Sequence, residues 1–190
     1  MSRKTNGQRG TALIRARCSA PTERLALTRR TGHSALASDD DVRPEFVVVS
    51  FSPDDDRWLG KLHVSAAFDG FSGHADAWVD AQNVAEFGDR LTKYPIDPDE
   101  EIRLSAGLGE GANYQEQIGL QASARGGRGQ LIVLVHLTWR GWRPSLGETF
   151  HETRFEFPTS YEYLGRFGRH LAMTVRGEID EARLDKDVLA

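Results

Sequence analysis

The sequence holds a single cysteine, Cys18, in 190 residues. A lone thiol closes no internal disulfide, so the fold cannot depend on oxidation. No apolar run approaches the roughly 18 residues needed to cross a bilayer, and the longest, Leu131 to Val135, has the length of a strand. The basic start is not followed by the apolar stretch of roughly 7–15 residues that a secretory signal requires. These absences lead us to expect a cytoplasmic protein without membrane contact.

Catalytic signatures are also scarce. Gly107, Gly109 and Gly111 superficially suggest a phosphate loop, but a strand pattern follows them where a helix would have to open. Ser72, within Gly70-Phe71-Ser72-Gly73, lacks the strand–turn–helix context of a nucleophile elbow. His151 and His170 are isolated, and His136 lies on an apolar strand, where a satisfied core histidine is expected. No cofactor motif is present, and the balance points away from an enzyme.

What is there is an uneven charge. Residues 1–38 carry eight Lys or Arg against one acid, Glu23, whereas residues 39–190 carry 16 bases against 27 acids. The first segment has too little apolar surface to offset a backbone ordering cost of about 1–2 kcal/mol per residue. We therefore expect a disordered basic tail over 1–44. An upstream start, a plain flexible tail and an Arg-rich transit peptide all fit its composition.

A single domain is expected over 45–176, followed by a charged tail over 177–190. Phe46 to Phe51 reads as a β-branched strand stopped by Pro53 and Asp54-Asp55-Asp56. Leu62, Val64, Ala66 and Phe68 alternate with polar residues, Asp69-Gly70 signals a tight hairpin, and Phe71, Ala75, Ala77 and Val79 continue the apolar face. Val84, Phe87 and Leu91 then fall at helical spacing, with Asp80 near the N-terminus, and Tyr94-Pro95 ends the run. Alternation returns around Ile102–Ala106 and Ile118–Ala122. Residues 130–139 are apolar on both faces, which predicts a central strand covered by helices. Thr153, Phe155 and Phe157 face inward on a further strand. Ser160 is placed to cap a last helix bearing Leu164, Phe167 and Leu171. The expected class is α+β: one largely antiparallel sheet of about seven strands, with two helices packed on one face.

In that hairpin register Ser65 opposes His74 and His63 opposes Asp76, all on the face opposite the apolar one. His63, His74 and Asp76 could supply N and O ligands to a zinc ion, or a His–Asp acid–base pair. A solvated polar face on the hairpin is the simpler reading. Arg125, Arg128, Arg140 and Arg143, near Trp139 and Trp142, offer base-stacking chemistry. The acidic domain lacks the basic footprint that nucleic acid needs, so nucleic-acid binding by it is not expected. Trp142 and Arg143 better fit a protein contact, whereas Trp139 is expected to finish the core strand.

Several of these features form a pattern. Trp58-Leu59-Gly60 opens a strand, Gly70-Phe71-Ser72-Gly73 follows its turn, and Trp78-Val79 leads into the helix with Phe87 and Leu91. Gly127-Arg128-Gly129 then introduces the long apolar strand, before a Phe-rich strand and a Tyr/Leu helix. Over roughly 58–172 this resembles a family of small bacterial domains that includes the WapI-type immunity proteins. The resemblance implies a non-enzymatic, antitoxin-like protein that covers a partner toxin. It transfers no catalytic residues, and the glycines and Phe71 carry over only as fold determinants. A bacterial source argues against a transit peptide. From Glu45 onward 24 acids face 15 bases, which would steer the domain onto a basic partner. Asp54, Asp55, Asp56, Trp142 and Arg143 are the candidate partner-binding residues.

Overall fold

The computed structural model describes residues 44–186, apart from 57, 98, 126–129 and 144–146, and only the backbone of Trp142 and Arg143. The expected tail over 1–44 lies outside the described residues, except for Pro44. The elements run β1 Phe46–Pro53, β2 Leu59–Phe68, β3 Phe71–Asp80, α1 Ala81–Leu91, β4 Ile102–Leu108, β5 Gln115–Arg125, β6 Gln130–Arg143, β7 Gly147–Thr159, α2 Tyr161–Val175 and β8 Ala182–Asp185.

The class is α+β, but the single seven-stranded sheet is corrected to two four-stranded antiparallel sheets. Sheet A has the order β3-β2-β1-β8 and sheet B the order β4-β5-β6-β7. Consecutive strands pair as expected within each sheet, but the chain leaves β3 through α1, and β4 then starts a second sheet. β3 instead packs across all four strands of sheet B. Each sheet has one apolar face; β3 lies against sheet B, while α2 covers β1 and β8 of sheet A.

The two helices are not confined to one sheet, since α1 touches strands of both. They pack on each other, with α2 against β1 and β8 and α1 against β3 and β4. The apolar stripes Val84, Phe87, Leu91 and Leu164, Phe167, Leu171 are buried as their spacing predicts. Asp80 caps α1 by accepting the Gln82 N–H at 2.8 Å. Ser160 precedes α2 but makes no side-chain capping bond; its carbonyl accepts the Leu164 N–H.

Two further expectations change. The segment after Gly177 is not all tail, because β8 pairs with β1 and buries Ala182 and Leu184 completely. β6 does lie between two neighbours, yet it is fully buried on one face only. Ile132, Leu134 and His136 are half-buried on the other face, against which neither helix of the described residues packs.

Candidate functional site

The β2–β3 hairpin has the predicted register. Asp69 and Gly70 take positive φ, as a primed turn requires, and His63 stands opposite Asp76 and Ser65 opposite His74. His63 Nδ1 lies 2.7 Å from Asp76 Oδ1, and Lys61 Nζ donates to Asp76 Oδ2 at 2.9 Å. Partial burial works to raise the Asp76 pKa, but the hydrogen bonds from Lys61 and His63 outweigh it and hold the carboxyl below its ordinary value. Sequence reasoning missed Ser52 on β1, whose Oγ lies 3.4 Å from His63 Nε2. Ser52, His63 and Asp76 stand in the order of a hydrolytic triad, but on open sheet surface. His63 and Asp76 are 36% and 45% exposed, so charge developing on a substrate would meet water rather than fixed dipoles.

His74 is not brought to this pair; it borders a different groove. Among the described residues, no group of three or more His, Cys, Asp or Glu is arranged to hold a metal ion. Asp54, Asp55 and Asp56 are exposed at the β1–β2 connection, which is closed by Asp54 N–H to Leu59 O at 2.9 Å. The backbones of Trp142 and Arg143 pair opposite Glu148 and Gly147; their side chains lie outside the description.

A second polar cluster occupies the outer face of sheet B. His136 there is not a core histidine. Its Nδ1 lies 2.8 Å from Glu116 Oε1 and its Nε2 3.0 Å from Glu152 Oε1. The two carboxylates thus hold the imidazole ring from both sides. Glu116 also accepts from Arg103 and from Ser105 Oγ, each at 2.6 Å. Burial pushes the Glu116 pKa up, but the bonds from Ser105, His136 and Arg103 prevail and lower it; the same carboxylate raises the Arg103 pKa. Strict alternation would have turned Glu116 inward with Ile118. A bulge pairs Ala106 with Ile118 and Gly107 with Glu116, skipping Gln117, and this returns Glu116 to the outer face.

The third feature is the far end of β6 and β7. Pairing of β5 with β6 stops at Leu137, opposite Ile118, so from Thr138 to Arg143 β6 pairs with β7 alone. The two strands project as a ribbon, anchored where Thr138 Oγ1 donates to the Glu116 carbonyl at 2.6 Å. Trp139 does not finish the core: it is 39% exposed, and its ring fills the space a side chain at Gly141 would need. Phe150, 54% exposed, lies on the opposite face beneath the Arg140 guanidinium, 5.2 Å from the ring centroid.

Along the inner side of this ribbon runs a groove of about 640 Å³. Its wall is Ser72, Gly73 and His74 of β3, and its floor includes Leu137, Trp139, His151 and Thr153. Arg125 forms a two-pronged pair with Glu156, at 2.6 and 3.1 Å. Comparison of the chain with family models, with curated proteins and with solved structures yields no match.

Proposed function

We propose that this chain is a non-enzymatic binding protein of the immunity type, which neutralises a partner protein by covering it. The observation that carries the reading is the β6–β7 ribbon. A two-stranded ribbon is marginally stable alone, and this one exposes Trp139 on one face and Phe150 on the other. Aromatic side chains with a neighbouring arginine are the residues that anchor protein interfaces. The acidic exposed loop Asp54-Asp55-Asp56 adds a field that would steer a basic partner toward the domain. The sequence resemblance supplies the antitoxin-like class.

The test uses the full chain as bait in a lysate of its own cells, with bound proteins identified by mass spectrometry. The expected result is one stoichiometric partner, released by Phe150→Asp or Trp142→Ala and captured more slowly after charge reversal at Asp54, Asp55 and Asp56. Expression of that partner alone should arrest growth, and co-expression of this chain should restore it. A partner held equally well by every one of these variants would overturn the assignment of the surface. A captured partner that is harmless when expressed alone would overturn the immunity class. Turnover of a substrate dependent on Ser52, His63 and Asp76 would favour the hydrolytic alternative.

A further inference from the structure

β3 is an edge strand of sheet A, and the floor beyond it, with Trp139 and His151, is left exposed. Sheet A therefore stops short of covering the inner face of sheet B. The hairpin fixes which backbone groups face this gap. Phe68 and Phe71 flank a two-residue primed turn and form a hydrogen-bonded pair, so Phe71, Gly73, Ala75 and Ala77 bond inward to β2. The alternation then turns the N–H and C=O groups of Ser72 and His74 toward the free edge, along the wall of the groove.

We propose that an extended segment of a partner protein adds to this edge as a new strand of sheet A, bonding to Ser72 and His74 and lying over Leu137, Trp139, His151 and Thr153. This rests on the reading of the chain as a binding protein. The occupant is defined by the chemistry of the groove. A wall of outward-facing backbone groups is satisfied by another strand, not by a helix, whose backbone bonds are internal. The floor lies on one side only, so alternate side chains of the segment face it. Apolar residues belong at those positions, with an aromatic one over Trp139. The intervening side chains face outward beside His74 and remain polar. At Gly73 any side chain would run into Thr153, so β3 sits close to sheet B there and one side of the groove is closed.

The probe is a displayed library of random nine-residue peptides, selected on the full chain. Enriched peptides should alternate apolar and polar residues. A synthetic copy of the best peptide should lose tenfold or more in affinity when the amides facing β3 are N-methylated, while methylation of the other amides changes little. His74→Pro is the decisive variant. Its N–H points away from β2, so a proline there keeps the ladder of Gly73 and Ala75 while removing an edge donor. Circular dichroism and the melting temperature check that it folds. It should lose the peptide, as should Trp139→Ala.

Absence of any enriched peptide, or peptides that bind His74→Pro as well as the parent, would overturn the proposal. So would a chain that is dimeric by light scattering and becomes monomeric with His74→Pro, because the edge would then belong to a second copy. Capture of the lysate partner that is lost with Phe150→Asp but kept with His74→Pro would remove this inference and leave the binding reading standing.

Discussion

Gly88 of α1 and Gly168 of α2 face each other so closely that a Cβ on either would strike the carbonyl oxygen of the other. The two helices can approach this far only because neither position carries a side chain. Leu171 and Leu91 close the contact on either side. An alanine at either position improves helix propensity by roughly 1 kcal/mol. It also forces the helices apart, at about 1–3 kcal/mol for overpacking. Gly88→Ala and Gly168→Ala should therefore each lower stability by up to about 2 kcal/mol in urea titrations, and the double variant should cost less than the sum because both strain the same contact. Unchanged midpoints would show that the interface yields freely.

The carboxylate of Glu116 should make stability depend on pH with a definite sign. Its pKa lies below the ordinary 4.5 in the folded protein, so its contribution is complete above that value and is lost as pH falls through the depressed folded one. Glu116→Gln should cost about 1–3 kcal/mol at pH 7, since it leaves Arg103 and His136 short of an ionised partner. The gap between parent and variant should close as the solution is acidified below about pH 4. A gap that stays constant to pH 3 would mean that the ionised form contributes nothing.

Leu184 tests whether β8 is an integral strand. It is fully buried within a segment whose composition reads as a charged tail. Leu184→Ala should destabilise by about 2–4 kcal/mol, the range for emptying a buried leucine site. A loss below about 0.5 kcal/mol in thermal or urea unfolding would show that the strand frays in solution.

Phe150 and Trp139 should separate stability from binding. Both are substantially exposed, so Phe150→Asp and Trp139→Ala should move stability by about 1 kcal/mol or less. An anchoring aromatic at an interface is worth about 2 kcal/mol or more, so release of a captured partner should be at least tenfold faster. Equal losses in stability and binding would make the ribbon a structural element.

Within this chain, local periodicity was informative wherever one face of an element was buried. The alternation of Leu62, Val64 and Ala66, the helical spacing of Val84, Phe87 and Leu91, and the Asp69-Gly70 turn each specified an element and its inward face. The turn also fixed the opposition of His63 and Asp76, because a two-residue hairpin leaves no freedom of register. These patterns record which side of an element is dry, and they act over a few residues.

What they could not record is which strands meet across a long connection. Whether β4 would join β3 or begin a second sheet depends on how two apolar faces stack, which no local pattern encodes. The same holds for Ser52, which meets His63 only because β1 pairs with β2 in one register. Glu116 reaches His136 only through a single-residue bulge that reverses the alternation. For β8, two inward residues are too few to form a pattern, and the strand exists because α2 returns the chain to β1. The sequence by itself determined the local elements and their buried faces. The tertiary structure alone decided the two-sheet stacking, the free edge of β3 and the exposed ribbon, because these arise from contacts between residues far apart in the chain.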